Sequence, residues 1–392
     1  MNMLEAIEEL TRIENYLLSK VPMKHVRSFM DKINWNFPVV AIVGARGVGK
    51  TTLALQRLRI IDASPHDHLY FSADNPLVIK HGIYELGRYH FINGGISLTI
   101  DEIHKYPNWS LEVKALHDSF PDRKIIVLGS SKLSLLLEKG DLSRRMLVYE
   151  MPPLSFREYL KLVDAADISV FSFEQIIDNH MKIASKITKD VPNILRHFKT
   201  YLQIGCFPYF LMTNRHEEYH LILNSILEKV IYEDISSVRA LRSVTAASLK
   251  KLLWIVATSP VPQISISSLT RDTAVSRETL YDLIDLLEKA DVIRIIKSGQ
   301  ALKGSKIFLF TPDMYRAFSG QTHIGTIRES FFAMNFKEIK SCKYEECDFI
   351  VNNLKIEIGG KSKSSNTDIV FKDDIDVGYK NSIPLYLVGF MW

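Results

Sequence analysis

The stretch from Pro38 to Thr52, PVVAIVGARGVGKTT, constrains this chain more than any other feature of its sequence. A short apolar run, 39–43, leads directly into glycine, four further residues and Gly-Lys-Thr. This spacing is typical of a loop that holds phosphate groups between a buried strand and a helix. Glycine lets the backbone approach a phosphate because it has no Cβ. The N-terminus of the following helix also favours an anion.

The motif therefore predicts that the loop binds the phosphates of ATP. Lys50 is expected to reach the β- and γ-phosphates, and the Thr51 hydroxyl is expected to ligate Mg²⁺. The residues predicted to bind the nucleotide are Gly44, Ala45, Arg46, Gly47, Val48, Gly49, Lys50, Thr51 and Thr52.

A second predicted part of the site follows the apolar run 96–100, which ends in Asp101 and Glu102. Acidic residues at the end of a strand are common, and a solvated strand end is the alternative. Their position some 50 residues beyond a phosphate loop favours a catalytic role. Asp101 is predicted to hold Mg²⁺ through water, and Glu102 is predicted to polarise the attacking water.

Polar residues also follow a fourth apolar run, 124–128. Ser130 or Ser131 would lie at the carboxyl end of that strand, where open parallel sheets bind ligands. We predict that Ser130 contacts the γ-phosphate or the attacking water. An alternative, which is compatible with this role, is that the serine caps a following helix over 133–137. Arg144 and Arg145 come next. They either reach a γ-phosphate, in the same subunit or a neighbouring one, or form a surface pair.

Strands that alternate with helices after a phosphate loop predict an α/β fold, a doubly wound phosphate-loop NTPase sheet over residues 1–153. Residues 154–248 have helical patterns, and 249–320 have the helices and hairpin of a winged helix. The third helix of that motif exposes mainly acidic side chains, so protein packing is favoured over base readout. Basic residues on the wing leave weak contact with a DNA backbone open. Residues 321–392 are predicted to contain a helix over 328–337 and short strands. Strands 347–351 and 354–358 would form a hairpin around Asn352 and Asn353, and 384–388 would be a late strand.

Composition narrows the class of protein. Hydrophobic residues make up 46% of the 392 residues, as in ordinary globular proteins. No apolar run is long enough to span a membrane, and the N-terminus is unlike a signal peptide, so we expect a cytoplasmic protein with no membrane partner. The three cysteines, Cys206, Cys342 and Cys347, are predicted to be reduced thiols. The net charge of +4 permits contact with nucleic acid without indicating it.

Several of these stretches together resemble one family. They are GARGVGKT at 44–51, SLTIDEIHKYPNW at 97–109, VLGSS at 127–131, LSRR at 142–145, PPLSFREYL at 152–160, YLQIGCFP at 201–208, CDFIV at 347–351, KIEIGG at 355–360 and IPLYLVGF at 383–390. The chain is similar to prokaryotic AAA-type ATPases that have a C-terminal restriction-endonuclease-like domain of unknown function. The resemblance implies ATP hydrolysis by Lys50, Thr51, Asp101 and Glu102, with a polar sensor at Ser130 or Ser131 and an arginine near 145.

The resemblance also implies that residues 321–392 adopt a nuclease-like fold. Glu329, Asp348 and Glu357 are expected to converge around a space that fits a cation. Related nucleases end their site in Glu-x-Lys, whereas Gly359 stands at the lysine position here. The face beside Glu357 is therefore expected to be empty, with a water or Lys361, two residues later, as a partial substitute. We therefore predict that this domain does not cut DNA.

The sequence leaves three functions open. The first is Mg²⁺-dependent ATP hydrolysis that drives a conformational switch or assembly, with a homo-oligomer or an unidentified protein as partner. The second is a scaffold that binds ATP, hydrolyses it negligibly and presents a surface to a partner. The third is a DNA-processing protein in which ATP licenses cleavage.

Overall fold

The computed structural model divides the chain into two units, residues 1–152 and residues 153–392. The structure describes residues 2–62, 64, 66–130, 142, 144–236, 243–260, 265–299, 304–318, 322–342 and 346–392. Ser131 and the predicted helix over 133–137 therefore lie outside the described residues.

Unit one is built around a five-stranded sheet in which all neighbouring strands are parallel. The spatial order is β2-β3-β4-β1-β5, with the strand before the phosphate loop next to the edge strand β5. This parallel α/β sheet has the fold of a phosphate-loop NTPase, as predicted. Its strands are β1 Val39–Val43, β2 His68–Ser72, β3 Ser97–Asp101, β4 Lys124–Gly129 and β5 Met146–Glu150. Its helices are α1 Met3–Lys20, α2 Lys50–Ile60, α3 Pro76–His81, α4 Ile83–Ile92 and α5 Trp109–Ser119, with short 3₁₀ turns at Ser28–Lys32 and Ile103–Lys105.

Alternation along the strands explains why both faces of this sheet are covered. Side chains of successive strand residues point to opposite faces. On β2, Leu69 and Phe71 belong to one core cluster, together with residues of α1, α4 and α5. Tyr70, between them, packs instead with Leu55 and Leu58 of α2. The phosphate loop is thus held between a fully buried strand and a helix that is anchored on the sheet.

Helix α1 covers the outer edge of the sheet, which is formed by β2. An edge strand has backbone N–H groups without a neighbouring strand. The N–H of Tyr70 donates to Glu14 Oε2 of α1 at 3.1 Å. Glu14 is 2% exposed. Burial raises the pKa of Glu14 from 4.5 to about 8, although the Tyr70 N–H partly opposes that shift.

Replacement of Glu14 by glutamine is expected to stabilise the protein at high pH. Because the pKa in the folded state is above the ordinary value, the folded protein keeps a proton that the unfolded chain releases. The stability that this proton confers is complete below the unfolded pKa and is lost as the pH rises through the folded value. Glutamine accepts the Tyr70 bond without ionising. We expect a gain on the order of a few kcal/mol at about pH 8 and little change at about pH 4.

Thermal unfolding measured across this pH range tests the Glu14 prediction. Glu9→Gln is a matched control, since Glu9 is on the same helix but half-exposed, in a pair with Arg12. Unfolding temperatures of Glu14→Gln and wild type that follow the same pH curve would show that Glu14 has no such role.

Unit two contains helices, a hairpin and a second five-stranded sheet. Its helices are α6 Phe156–Leu162, α7 Phe173–Asp190, α8 Ile194–Ile204, α9 His216–Lys229, α10 Ser243–Thr258, α11 Ile266–Thr273, α12 Arg277–Lys289, α13 Met314–Phe318 and α14 Ile324–Met334. A π-helix, Val230–Ile235, continues α9, and 3₁₀ helices cover Pro208–Met212 and Leu385–Phe390. Its strands are β6 Ile293–Ile296, β7 Lys306–Leu309, β8 Lys340–Ser341, β9 Phe349–Val351, β10 Leu354–Gly359, β11 Ile369–Lys372 and β12 Ser382–Pro384.

Aromatic packing joins the regions that the sequence analysis treats as separate domains. Phe156 of α6 has its ring centroid 5.2 Å from that of Phe198 and 5.6 Å from that of Phe390. Phe198 in turn lies 4.9 Å from Phe331 of α14. Residues from the helical region and from the C-terminal region therefore share one core, which explains why they form one unit. The separate winged-helix domain stays a prediction; α10, α11 and α12 followed by the antiparallel pair β6-β7 are its elements.

The C-terminal sheet has the order β12-β11-β10-β9-β8. The predicted hairpin is confirmed: β9 and β10 pair antiparallel around Asn352 and Asn353, which both have positive φ. The predicted strand 384–388 is wrong, because only Pro384 belongs to β12 and a 3₁₀ helix follows. A short apolar run does not distinguish strand from buried helix.

The predicted state of two cysteines is also wrong. Cys342 and Cys347 form a disulfide with Cα atoms 5.4 Å apart. They lie just after β8 and just before β9, which pair antiparallel and bring the two residues together. Cys206 is buried and outside any disulfide.

Candidate functional site

The phosphate loop turns sharply between β1 and α2, and glycine permits that turn. Gly44 has a φ of +150°, and a Cβ there would lie 2.3 Å from the carbonyl oxygen of Met151, just beyond β5. Gly49 has a φ of +98° and caps the N-terminus of α2. Ala45 and Val48 are buried within the loop, whereas Arg46, Gly47 and Thr52 are half-buried. The glycine turn and the helix N-terminus that follows it are features of phosphate-binding loops.

Lys50 is the first residue of α2, and its ammonium group folds back over the loop. Its Nζ donates to the carbonyl oxygens of Gly44 at 2.8 Å and of Ala45 at 3.1 Å. The residue is 7% exposed. This buried ammonium, held by two backbone carbonyl oxygens, is positioned to meet an incoming polyphosphate.

Thr51 and Asp101, the two predicted metal ligands, lie in contact. The Thr51 hydroxyl donates to Asp101 Oδ2 at 2.5 Å, and the Tyr70 hydroxyl donates to the same oxygen at 2.9 Å. Burial raises the pKa of Asp101 above its ordinary value, while the Thr51 hydrogen bond opposes that shift. A hydroxyl and a carboxylate that converge beside a phosphate loop are the hard oxygen donors that Mg²⁺ requires. The residues present therefore fit a magnesium ion bound together with a nucleotide.

Glu102 follows Asp101 in a strained backbone conformation. Its φ of 49° and ψ of 35° are in the left-handed region, and its N–H donates to Asp101 Oδ1 at 2.7 Å. Strained non-glycine residues cluster at functional sites. Lys105 Nζ lies 3.6 Å from Glu102 Oε2 and 2.6 Å from Asp74 Oδ2. Glu102 and Asp101 thus lie at the same strand end, as predicted.

Ser130 lies at the end of β4 and is buried. Its Oγ is 3.0 Å from His104 Nε2, and the same nitrogen is 3.5 Å from Glu102 Oε2. His104 was not among the site residues predicted from the sequence. Its position three residues after Asp101, inside the motif 97–109, is the only signal that the sequence offered.

The Arg145 side chain contacts helix α5. Its Nε lies 3.0 Å from Asp118 Oδ1, in a half-exposed pair. Arg144 is exposed. A catalytic role for Arg145 stays a prediction.

A second cluster of charged side chains lies in unit two. Lys306 of β7 donates to Glu329 of α14 at 2.7 Å and to Asp348 at 3.0 Å. Burial alone would lower the pKa of Lys306, but the two carboxylates outweigh it and raise that pKa above its ordinary value. Burial also raises the pKa of Glu329 to about 7, against the effect of Lys306. An ammonium group therefore occupies the space between two of the predicted cation ligands.

The third predicted ligand of that cluster, Glu357, has its own lysine. Lys363 Nζ lies 2.5 Å from Glu357 Oε1. A Cβ at Gly359 would lie 2.5 Å from the Cβ and Cγ of Lys363, so the lysine covers the face that glycine leaves open. The expectation of an empty face beside Glu357, with Lys361 as substitute, is wrong: a turn after β10 brings Lys363 back over it.

Comparison with known proteins separates two parts of the chain. Residues 36–160 match the family model of an AAA domain. Residues 195–307 match a domain of unknown function, DUF8612. The AAA match supports nucleotide binding and hydrolysis by the first unit. It covers the phosphate loop, the Asp101–Glu102 strand end and Ser130.

One curated relative and two solved structures illustrate the similarity. The uncharacterized protein MJ1637 of Methanocaldococcus jannaschii is 33% identical over 272 residues, which are 65% of this chain and 56% of that protein. The Walker-type ATPase PABY2304 of Pyrococcus abyssi is 13% identical with a TM-score of 0.44, over 74% of this chain and 93% of that one. The Aeropyrum pernix ORC1 protein, solved in complex with DNA, is 14% identical with a TM-score of 0.32, over 79% and 92%.

The helices were also compared with the length and hydropathy that a bilayer requires. Within the described ranges, none is both long and apolar enough to span a membrane.

Proposed function

We propose that unit one binds ATP with Mg²⁺ and hydrolyses it at the site formed by the phosphate loop and the ends of β3 and β4. The observation on which this rests is the contact between Thr51 and Asp101, at 2.5 Å. It joins two sequence motifs 50 residues apart and places a hydroxyl and a carboxylate together beside Lys50. Glu102, the adjacent residue, is then next to the position where a terminal phosphate would lie.

Each residue of the site has a distinct task in this proposal. Lys50 and the N-terminus of α2 neutralise the phosphates, which lowers the cost of bringing their charge into a buried loop. Thr51 and Asp101 hold Mg²⁺, which when bound offsets the charge that develops during phosphoryl transfer. The Glu102 carboxylate accepts a hydrogen bond from the attacking water and orients it. The Ser130 hydroxyl contacts the terminal phosphate. Arg145 would join them only by leaving Asp118.

We propose that this hydrolysis drives a conformational switch or an assembly step. The partner in that step is a second copy of the chain or another protein. A scaffold that hydrolyses ATP only negligibly is the second candidate. The contact that favours it is the one between Lys105 and Glu102, at 3.6 Å, because an ion pair with Lys105 competes with the attacking water for the carboxylate.

Steady-state phosphate release distinguishes the two candidates. We expect turnover with Mg²⁺ on the order of 1 s⁻¹ or below, and none when EDTA removes the metal. ATP binding without measurable release, with and without DNA, would contradict the hydrolase and favour the scaffold. Size measured with and without a non-hydrolysable ATP analogue tests the assembly step.

We further propose that unit two does not cut DNA. The ammonium of Lys306 lies between Glu329 and Asp348 and already neutralises them, so a divalent cation gains little there. The part of the chain that the structure describes has no group of three or more His, Cys, Asp or Glu side chains arranged to hold a metal ion. Because Lys363 lies beside Glu357, the glycine at position 359 is no longer a reason to expect that the domain is inactive. The reason is instead the position of Lys306 between Glu329 and Asp348.

Plasmid and linear duplex DNA incubated with Mg²⁺ or Mn²⁺, with and without ATP, are expected to stay intact. Asp348→Ala and Glu357→Ala proteins prepared in parallel identify contamination, because a contaminating nuclease would cut in all three preparations. Cleavage by the wild type that disappears in both variants would show that unit two is a nuclease.

A further inference from the structure

His104 lies where the ends of β3 and β4 leave the sheet. The two strands are neighbours, and Ile100 pairs with Val127, so Glu102 and Ser130 emerge side by side. The chain then turns through the 3₁₀ helix Ile103–Lys105. The left-handed conformation of Glu102 starts this turn, and the Lys105 N–H closes it on the Glu102 carbonyl at 2.9 Å. As a result, the His104 side chain folds back into the gap between Glu102 and Ser130.

One nitrogen of His104 contacts both of those side chains. Nε2 is 3.0 Å from Ser130 Oγ and 3.5 Å from Glu102 Oε2. A ring nitrogen that bears a proton donates to the serine and a bare one accepts from it. Glu102 Oε2 has no hydrogen bond among the described residues, so its contact with Nε2 is one of proximity. Ser130 Oγ and Glu102 Oε2 therefore both lie next to the same ring nitrogen. A change in the hydrogen bond between Ser130 and His104 therefore changes how the same ring nitrogen can interact with Glu102.

His104 is more deeply buried than Lys105, so we expect it to hold the Glu102 carboxylate in a better defined position. The side chain of His104 is 4% exposed, whereas that of Lys105 is 33% exposed. Lys105 also makes its shorter contact with Asp74, at 2.6 Å compared with 3.6 Å to Glu102. Lys105 thus contributes mainly charge near Glu102. The imidazole, packed in place, limits where the carboxylate lies.

We infer that His104 is a positioning residue which couples Ser130 to Glu102, so that contact of Ser130 with the terminal phosphate sets the orientation of the carboxylate. The inference rests on the proposed ATP hydrolysis and deepens it. His104 is assigned no contact with the nucleotide or the attacking water in this inference. It acts through Glu102, whose orientation relative to the water determines the rate of the chemical step.

The variants His104→Ala, His104→Gln and His104→Asn test this inference. The Gln amide nitrogen reaches the place of Nε2, whereas the shorter Asn reaches only that of Nδ1. We expect Ala and Asn to lower kcat about 10-fold or more, since displacement of a catalytic group by about 1 Å costs up to about 10²-fold. Gln is expected to retain most of the rate. KM and ATP affinity should change little in all three, because the lost contact acts in the chemical step.

A double-mutant cycle with Ser130→Ala tests the coupling itself. If Ser130 acts on Glu102 through His104, the His104→Ala/Ser130→Ala protein should be no slower than the slower single variant. Effects of independent sites would instead multiply. Multiplied effects, or equal rates for Gln and Asn, would overturn the inference. The Gln and Asn comparison remains decisive if His104→Ala does not fold.

The result for Glu102→Gln shows which proposal has failed. If Glu102→Gln abolishes turnover and the three His104 variants hydrolyse at the wild-type rate, His104 has no positioning role and the hydrolase stands. If Glu102→Gln hydrolyses ATP like the wild type, the proposed base is wrong and the role of His104 falls with it.

Discussion

Lys50→Ala is expected to weaken ATP binding by at least about 10²-fold, which corresponds to roughly 3 kcal/mol. Lys50 is 7% exposed, and its ammonium lies within 3.1 Å of two loop carbonyl oxygens. In the variant, a phosphate in the loop would face these carbonyl oxygens without the positive charge that compensates for them. Titration calorimetry with a non-hydrolysable ATP analogue measures the loss directly.

Lys124→Ala is the matched control for this variant. Lys124 lies at the start of β4, at the amino edge of the same sheet, where its Nζ donates to Asn36 at 2.9 Å. Its removal changes the net charge equally but far from the predicted phosphates. Equal affinities for wild type and Lys50→Ala would show that the loop does not bind nucleotide through this lysine. Equal losses in both variants would indicate a general effect of charge.

Glu102→Gln is expected to slow hydrolysis by about 10²-fold or more while ATP still binds. Glutamine keeps the shape of the side chain but cannot act as a base. The loss should therefore appear in kcat and leave the affinity for ATP largely unchanged. Single-turnover measurements separate this chemical step from product release.

Glu85→Gln controls for the change of a carboxylate to an amide in the same unit. Glu85 is half-exposed on α4 and pairs with Arg88 at 3.5 Å, so its rate should match that of the wild type. A Glu102→Gln protein that turns over as fast as Glu85→Gln would place the base elsewhere. Asp74, which lies beyond the end of β2 and contacts Lys105, would then be the next carboxylate to replace.

The local parts of this protein were predictable from the sequence. The phosphate loop is a contiguous strand, glycine turn and helix, so its residue types and their spacing determine its geometry. The same holds for the hairpin around Asn352 and Asn353, because these two residues adopt the positive φ that a two-residue turn requires. The apolar strand that ends in Asp101 and Glu102 also follows from pattern alone. These features depend on residues that are neighbours along the chain.

Contacts between distant residues were decided only by the tertiary structure. His104 meets Ser130, 26 residues away, because β3 and β4 are neighbours in register. Lys306 reaches Asp348 across 42 residues because hairpin, helix and sheet share one core. Lys363 covers Gly359 because of the turn after β10. Strand order, register and helix packing set these distances, and many arrangements of the same local elements are compatible with the sequence pattern.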